Sequence, residues 1–363
     1  MKVKIIGAGS IGNHLAQASR RMGWDVDVVD KDRAALLRMK NEIYPQRYGE
    51  WDPAIGLFSS EHEPKGGYDI IMIGTPPDIR MKIAIEALKE KPRLLHLEKP
   101  LFAPSPESIN AFREFKKTFD TLPFLSDSPI VPIVTVGYDH AVSKAAHFVK
   151  DLLLRGVIGE ALNLHVAFKE NWKGIFSAHP WLKSPEDSYL GYWRRGGGAG
   201  CEHSHALHLW LHFAKILGWS IAEKISSKMD MYTDGVVDYD KEAQFLITTS
   251  SGKIGQVVQD VVTDPPEKIV HIWGERGSIV WKVGWSPHGD LIMYPDPDSR
   301  GEIEYHVIAK NRQDDFYEEM KHYDALLKGE ITPDNSPLSL SSGIEVMATL
   351  IQAYSFANNN KKS

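Results

Sequence analysis

The sequence is poor in cysteine, in long apolar stretches and in excess basic charge. Its 363 residues include one cysteine, Cys201, which excludes an internal disulfide bond and suits a reducing compartment. No stretch approaches the roughly 20 consecutive apolar residues that a membrane-spanning helix requires. The formal net charge is -6, so the chain lacks the basic excess that neutralises nucleic acid phosphates. We therefore expect a cytoplasmic protein whose main partner is neither a membrane nor a nucleic acid.

The composition is typical of a folded protein, with 42% hydrophobic and 25% charged residues. The first third alternates short apolar strands with helices, which predicts a parallel sheet covered on both faces, although residues 44–67 show no clear strand. From Ala161 onward, β-rich runs separated by short turns predict a large, open, mainly antiparallel sheet. The predicted fold is α/β, with an N-terminal Rossmann domain over residues 1–124 and a C-terminal α+β domain over residues 125–363.

A glycine-rich turn stands between the first predicted strand and the first predicted helix. Residues 7–12 read Gly-Ala-Gly-Ser-Ile-Gly. In dinucleotide-binding turns the first glycine permits the tight turn, the second lets the backbone approach the pyrophosphate, and the third lets helix and strand pack closely. The helix N-terminus then offers unpaired N–H groups and a positive dipole end to the phosphates. The alternative is a turn without a ligand, which this strand-turn-helix setting disfavours.

An acidic residue, Asp30, ends the second predicted strand. A carboxylate there can accept hydrogen bonds from the ribose hydroxyls of an adenosine, and it would repel the 2′-phosphate of NADP. Lys31 and Arg33 follow at once and could neutralise such a phosphate, or they could be solvated surface charges. We expect NAD or NADP as the cofactor, with NAD preferred.

Two further motifs, Thr75-Pro76-Pro77 and Glu98-Lys99-Pro100, end predicted strands at the carboxyl edge of the sheet, where ligands bind in such folds. Alcohol oxidation requires a hydride acceptor and a group that takes the hydroxyl proton, and a lysine at this edge can serve as that group. A lone Glu-Lys pair is otherwise a surface salt bridge. The predicted cofactor-binding residues are Gly7, Gly9, Ser10, Ile11, Gly12, Asp30, Thr75, Pro76, Glu98 and Lys99.

Three consecutive glycines, residues 196–198, precede a histidine-rich stretch that we predict to be helical from about Ala199. On one continuous helix, Glu202 and His205 share a face at positions i and i+3, and His208 continues it. A carboxylate beside an imidazole can grip adjacent substrate hydroxyls and pass a proton. The glycines would let the backbone approach a ligand or the other domain closely.

These motifs, in this order, resemble those of the Gfo/Idh/MocA family of oxidoreductases. The similarity covers nearly the whole chain and includes residues 7–12, 75–77, 98–100, 136–140 and 158–159 and the triple-glycine helix. The resemblance implies a Rossmann domain followed by an open sheet, through which family members commonly form dimers or tetramers. It also implies that Lys99 is a catalytic residue and that the acid and the histidine of the helix bind substrate and shuttle its proton.

The helix departs from the commoner family pattern, in which Asp is followed four residues later by His. The acid here is Glu202, and the residue four positions later is Ala206. A variant family pattern, Asp-x-Ser-His, matches residues 202–205 except for Glu in place of Asp, so the resemblance gives the histidine role to His205. The family also often has Asn and Arg where this chain has Asp139 and Ala141, which changes the hydrogen bonding expected in the pocket.

Two other features allow alternative interpretations. His208 and His212, at i and i+4, could share a zinc ion, but the His-Glu-x-x-His order of hydrolytic zinc sites is absent and we predict no metal. The long irregular stretch from Asn171 to Arg195 is of a length often found in lids over binding sites. Arg194 or Arg195 could then contact an anionic group of the substrate, or both could be solvated.

The sequence therefore predicts an NAD(P)-dependent dehydrogenase or reductase that transfers a hydride between the cofactor and a hydroxyl or carbonyl carbon of a sugar, sugar acid or polyol. We also expect a homodimer or homotetramer formed through the C-terminal sheet. The alternatives are a non-catalytic dinucleotide-binding regulator on the same fold, and a reductase of a C=N bond or a non-sugar carbonyl. The predicted catalytic residues are Lys99 as general acid/base with Glu202 and His205, and the predicted substrate-binding residues are Lys99, Tyr138, His140, Arg194, Glu202 and His205.

Overall fold

The computed structural model describes residues 1–122, 131–177, 179, 181–219, 222–299 and 301–360. For residues 358–360 it describes the backbone alone. The chain forms two compact units. The first consists of Met1–Gly137 and Phe316–Gly343, and the second of Tyr138–Asp315 and the chain from Ile344 onward. The predicted boundary between residues 124 and 125 lies outside the described residues. The return of residues 316–343 to the first unit was not predicted, because no local pattern in that segment indicates which unit it packs against.

The first unit contains the predicted parallel sheet. Its six strands are all parallel and lie in the order β3-β2-β1-β4-β5-β6. The central strands β4 and β5 are buried at every position because helices cover both faces, which explains the uninterrupted apolar run of β4 and the three leucines of β5. The elements are β1 (Lys2–Ile6), α1 (Ser10–Arg21), β2 (Asp25–Asp30), α2 (Arg33–Arg38), α3 (Tyr44–Tyr48), β3 (Ile55–Ser59), β4 (Ile70–Ile73), α4 (Pro77–Leu88), β5 (Leu94–Glu98), α5 (Pro106–Thr121) and β6 (Ile133–Gly137).

The stretch that looked irregular in the sequence contains α3 and the edge strand β3. Strand β3 pairs only with β2 and reads Ile-Gly-Leu-Phe-Ser, half-buried after its first residue. An edge strand of this length shows neither the long apolar run of a central strand nor a clear alternation. Its absence from the sequence prediction therefore has a physical reason.

The second unit contains an eight-stranded sheet in the order β14-β13-β12-β11-β7-β10-β9-β8. Every neighbouring pair is antiparallel except β7 and β10, which are parallel, so the predicted mainly antiparallel sheet is confirmed. The elements are α6 (Lys144–Leu154), β7 (Ala161–Lys169), α7 (Trp172–Ser177), α8 (Ala199–Glu202), α9 (Ser204–Ile216), β8 (Ala222–Thr233), β9 (Asp238–Thr249), β10 (Ile254–Asp260), β11 (Glu267–Gly274), β12 (Gly277–Ser286), β13 (Gly289–Pro295) and β14 (Ile303–Ala309). Helices α10 (Arg312–Lys328) and α11 (Leu340–Asn360) each belong to both units: α10 belongs to the first from Phe316, and α11 belongs to the second from Ile344.

Helix α9 covers one face of this sheet. The indole Nε1 of Trp210 donates to the carbonyl of Leu164 on β7 at 3.0 Å. A side chain at Gly255 on β10 would collide with both groups, so this glycine makes room for the indole. Across the described residues, no helix combines the length and the apolar character that crossing a membrane would take.

Candidate functional site

The glycine-rich turn of the first unit has the geometry of a phosphate-binding turn. Gly7 has a φ of 113°, and its amide donates to Val29 at 2.8 Å, which fixes the tight turn. A Cβ on Gly12 would collide with the carbonyl of Gly7, so helix α1 can pack this closely only with glycine there. A Cβ on Gly9 would meet no atom within 4 Å. Packing therefore does not explain Gly9, and the predicted approach of a ligand to its backbone stays a prediction.

The carboxylate of Asp30 stands beside this turn. Its Oδ2 accepts the amide of Ala8 at 2.8 Å, and its Oδ1 accepts the amide of Asp32 at 2.8 Å. Asp30 thus fixes the turn in addition to facing the cavity that the turn borders. Of the two basic residues that follow, Lys31 lines the same cavity, and the exposed Arg33 lies 3.6 Å from the carboxylate of Glu61.

The cavity lies within the first unit and has a volume of about 620 Å³, within the range of roughly 300–1,000 Å³ usual for small-molecule sites. The hydroxyl Oγ1 of Thr75 is buried there and has no hydrogen-bond partner among the described residues. Ser10 and Ile11 lie at the start of α1 outside this lining, and the Ser10 hydroxyl accepts from Arg47 at 2.9 Å. Among the residues that line the cavity are Gly7, Gly9, Asp30, Lys31, Thr75, Pro76, Ile79 and Lys82.

Arg80 on α4 joins the two predicted loops of the first unit, a role that was not predicted from the sequence. Its guanidinium is buried and donates to the carbonyls of Thr75, Glu98 and Pro100. It therefore holds both sides of the loop that carries Lys99. The available signal was its place on the apolar face of α4, three residues before Ile83 and four before Ala84. A helical arginine on such a face needs buried acceptors.

Glu98 points into the first unit and does not line the cavity. It is 5% exposed, and its Oε2 accepts the amide of Lys99 at 3.2 Å. Its Oε1 lies 3.3 Å from Nε2 of the fully buried His96. The alternative of a solvated Glu98-Lys99 surface pair is therefore wrong, because the carboxylate is buried. Direct contact between Glu98 and a cofactor stays a prediction.

In the second unit, the predicted continuous helix is interrupted. Helix α8 ends at Glu202, His203 has non-helical torsions of -96° and 23°, and α9 begins at Ser204. The carbonyl of His203 accepts the amide of Ala206 at 2.9 Å and also the side chain of Gln259 on β10. Glu202 and His205 thus lie on either side of the break, the prediction of one continuous helix is wrong, and their shared face stays a prediction.

The glycines before this break pack inside the second unit. A side chain at Gly197 would collide with the carbonyls of Tyr189 and Leu190, and one at Gly198 with the carboxylate of Asp240. Asp240 accepts the amide of Gly200 at 2.7 Å and the hydroxyl of Tyr354 at 2.6 Å. Burial raises the pKa of Asp240 to about 6, with hydrogen bonds from Tyr354 and Gly200 opposing this. Internal packing therefore explains the triple glycine, and sequence analysis missed Asp240.

His205 is one of a buried group of charged side chains. Its Nδ1 lies 3.7 Å from Asp139, whose other oxygen accepts from Arg312 at 2.7 Å. His140 lies 3.4 Å from Asp315. Although burial favours its neutral form, Arg312, His140 and His205 hold the pKa of Asp139 well below its ordinary value. The structure thus brings His140 and His205 together, with ring centroids 4.7 Å apart.

Tyr138 orients the same histidine. It is fully buried, its ring stacks on His208 at 4.1 Å, and it meets His205 edge-to-face at 5.6 Å. The predicted substrate residue Tyr138 is thus a packing partner of the α9 histidines. Glu202 is half-buried at the end of α8.

Asp139, His140 and His205 are also the residues in the described chain with the geometry to share a metal ion, because their ligand atoms lie within 4.8 Å of one another. Lys310 bridges Asp290 at 2.9 Å and Asp315 at 2.7 Å. The three carboxylates of Asp139, Asp290 and Asp315 thus face the two cations of Lys310 and Arg312.

The predicted arginines lie elsewhere in the second unit. Arg194 pairs with Asp238 at 3.1 Å and stacks over Trp193 at 4.3 Å. Arg195 is exposed and lies over Tyr192 at 5.8 Å. The described part of the stretch 171–195 is anchored by an apolar cluster of its own, and the buried members of this cluster are Ile175, Leu190, Ala199, Val237, Tyr239 and Val261. A contact of Arg194 with substrate stays a prediction.

Comparison with solved structures shows that the fold is shared with oxidoreductases. An Agrobacterium radiobacter oxidoreductase in complex with NAD+, L-tartaric acid and magnesium has a TM-score of 0.73 at 17% identity, covering 99% of this chain and 97% of that chain. An oxidoreductase domain protein from Kribbella flavida gives 0.71 at 16% identity, covering 99% and 97%. Levoglucosan dehydrogenase in complex with NADH and levoglucosan gives 0.70 at 17% identity, covering 97% and 95%. No protein-family profile and no curated protein sequence matches the chain.

Proposed function

We propose that this protein is an NAD(P)-dependent oxidoreductase of the Gfo/Idh/MocA type that acts on a hydroxyl or carbonyl carbon of a sugar, sugar acid or polyol. The observation that carries the proposal is the cavity of about 620 Å³ bordered by the glycine turn, Asp30 and Thr75. Solved structures that share this fold over nearly the whole chain contain NAD+ or NADH. A cytoplasmic location and a homo-oligomer built on the second unit's sheet belong to the same proposal.

The residues around the cavity fit a dinucleotide. Gly9 leaves its backbone open to a pyrophosphate, and the N-terminus of α1 adds a positive dipole end. The carboxylate of Asp30 has further lone pairs to accept ribose hydroxyls. The buried Thr75 hydroxyl supplies a polar contact that the described protein atoms leave unused. Because a carboxylate repels a 2′-phosphate, NAD is the preferred cofactor.

Lys99 is the proposed general acid/base, taking the proton of a substrate hydroxyl in oxidation and returning it in reduction. A bound nicotinamide would accept or supply the hydride. In the second unit we assign Glu202, His205, His140 and Tyr138 to substrate binding. The ring nitrogen Nδ1 of His205 lies 3.7 Å from the carboxylate of Asp139, which Arg312 holds in place from its other oxygen.

Fluorescence titration with NADH and NADPH, followed by a panel of sugars, polyols and sugar acids at the nicotinamide absorbance, tests the function. Lys99→Ala should lower turnover by about 10²–10⁴-fold while NADH affinity stays nearly unchanged, because the acid/base group is lost and the cavity is not. Lys89→Ala, at an exposed ion pair on the same unit, is the control. Normal turnover in Lys99→Ala would remove the acid/base role, and failure to bind either dinucleotide would remove the function.

A further inference from the structure

A chain of four buried polar side chains begins directly behind the backbone of Lys99. Glu98 accepts the Lys99 amide and lies 3.3 Å from Nε2 of His96. Nδ1 of His96 lies 2.5 Å from the hydroxyl of Tyr323, which in turn donates to Glu319 at 2.8 Å. All four groups belong to the first unit, and none is more than 5% exposed.

Proton counting fixes the charge of this chain. The four groups are joined by three hydrogen bonds, and each hydrogen bond requires one proton. A tyrosine and a neutral histidine supply one proton each, and ionised carboxylates supply none. A third proton must therefore be present. Without it, one of the three buried contacts would join two acceptor atoms with no hydrogen between them. The extra proton also lowers the charge of the buried chain from two negative charges to one.

The position of the extra proton follows from the direction of the bonds. Burial and the carboxylate of Glu319 raise the pKa of Tyr323 well above its ordinary value, so the phenol keeps its proton. With Glu319 ionised, the phenol donates this proton to the Glu319 carboxylate, which can only accept. His96 must then donate from Nδ1 to the phenol oxygen. Its Nε2 faces the Glu98 carboxylate and must donate as well. Both ring nitrogens of His96 are donors in this arrangement.

We infer that His96 is held as a buried imidazolium by Tyr323 and Glu319, and that this group compensates the charge of Glu98 behind the acid/base residue Lys99. The inference rests on the proposed function in one respect, namely that Lys99 exchanges a proton. The carboxylate of Glu98 accepts the backbone amide of Lys99, and a negative charge in the neighbourhood of an amine favours its charged form. Compensation of Glu98 by His96 lets the amine release its proton more readily. His96, Tyr323 and Glu319 are positioning residues in this account.

The surrounding charges are consistent with this arrangement. Arg80 on α4 is the other buried cation beside the chain, and its guanidinium is directed to backbone carbonyls, including that of Glu98, rather than to the Glu98 carboxylate. The ionisable groups of this hydrogen-bonded chain are Glu98 and His96 from β5 and Glu319 and Tyr323 from α10. His96 is therefore the group placed to compensate the Glu98 carboxylate.

Nuclear magnetic resonance of nitrogen-labelled histidine rings tests the imidazolium without any cofactor, and His96→Asn identifies the resonance. We expect both His96 ring nitrogens to carry protons at neutral pH in the wild type and only one to do so in Tyr323→Phe. A wild-type ring with one proton overturns the inference. A ring that stays doubly protonated in Tyr323→Phe would show that Tyr323 does not hold His96 as an imidazolium. Tyr68→Phe is the control, because this buried tyrosine of the same unit donates to Asp27 at 2.7 Å.

The pH profile of turnover tests the link to Lys99. In Tyr323→Phe the ascending limb of substrate oxidation should move upward by about one pH unit, the size of effect expected from one lost nearby charge, with unchanged NADH affinity. Glu319→Gln, which keeps an acceptor for the phenol, should shift the limb less and in the same direction. An unmoved limb in both variants overturns the link. A wild type without dinucleotide-dependent turnover refutes the proposed function separately, and the ring measurement still decides the state of His96.

Discussion

Asp30 has two roles that can be separated by substitution, because its carboxylate both accepts the Ala8 amide and borders the cavity. Asp30→Asn keeps an oxygen for the amide but removes the charge that opposes a 2′-phosphate. We expect this variant to bind NADPH more tightly and NADH at most about tenfold more weakly, one hydrogen bond to a charged group being worth roughly 1.5 kcal/mol.

Asp30→Ala should in addition loosen the glycine turn and weaken both dinucleotides, NADH more than NADPH. Fluorescence titration of both variants with both cofactors measures these effects. Stronger discrimination against NADPH in Asp30→Asn would reverse the assigned preference. Exposed Asp120→Asn on α5 is a matched control for the loss of one negative charge.

Asp240 gives the second unit a specific dependence of stability on pH. Its pKa of about 6 in the fold lies above the ordinary value of 3.8, because the carboxylate is buried. The folded state therefore binds this proton more tightly than the unfolded state. The stabilisation is fully present below about pH 4 and is lost as the pH rises to about 6.

Asp240→Asn should remove this component of the pH dependence, which is on the order of 3 kcal/mol in the free energy of unfolding. The asparagine oxygen can still accept the Gly200 amide, while its NH₂ can donate to the Tyr354 hydroxyl. Denaturant titration at several pH values measures the difference between variant and wild type. Exposed Asp298→Asn is the control, and parallel curves for Asp240→Asn and wild type would contradict the prediction.

At the scale of elements, helix α4 contributes Arg80, which ties two strand ends together. Arg80→Lys keeps the positive charge, but an ammonium group cannot reach three carbonyls as the planar guanidinium does. We expect a loss of about 1–3 kcal/mol in the free energy of unfolding for the buried carbonyls left unsatisfied. Turnover should fall further than cofactor affinity, because the Lys99 loop loses its support.

Urea unfolding and the separate kcat and KM values measure the effects of Arg80→Lys. The matched control is Arg113→Lys on α5, where the guanidinium is exposed and bonds Asn110 at 3.0 Å. Equal effects of the two substitutions would contradict the role given to Arg80.

The elements that sequence reasoning found are those with strong local patterns. Strands β1, β4 and β5 can be recognised from their mostly apolar sequences, and α1 from the glycine turn before it. The edge strand β3 is half-buried after its first residue, and the outermost strands β8 and β14 expose most of their residues, so none of the three has the long apolar run of a central strand. The break at His203 depends on Gln259, 56 positions away in the chain. Such long-range partners lie outside any local pattern.

The same distinction applies to the candidate site. The glycine turn and Asp30 could be located because a short motif contains them. The partners of His205, namely Asp139 and Arg312, come from distant segments and were not predicted as such. Tyr323 and Glu319 were missed for the same reason, because a helical tyrosine and glutamate look like ordinary surface residues until the fold brings them to His96.

At the scale of the whole molecule, the second unit's sheet leaves one face uncovered in a single chain. The strand register places Leu246, Gln256, His165 and His271 in one row, which continues through Val280 and Met293 to Tyr305. Leu246 is 51% exposed and Tyr305 is 65% exposed. Exposed apolar side chains such as Leu246 and Tyr305 on a sheet face are typical of an interface. They support the proposed homo-oligomer.

Leu246→Glu should convert the proposed oligomer to a monomer, because a carboxylate on this face would be buried without a partner. Light scattering during size-exclusion chromatography measures the mass. Leu37→Glu, on an exposed apolar residue of the first unit, is the control and should leave the mass unchanged. An oligomer that survives Leu246→Glu would place the interface on another surface.

The packing of the triple glycine has a practical consequence for anyone who wishes to retarget the protein to new compounds. Libraries that randomise positions 197 and 198 will return mostly misfolded chains, because any side chain there collides with the carbonyls of Tyr189 and Leu190 or with Asp240. Diversity is better introduced at the exposed Arg194 and Arg195, where replacement removes the Arg194–Asp238 ion pair and no buried contact of the glycines.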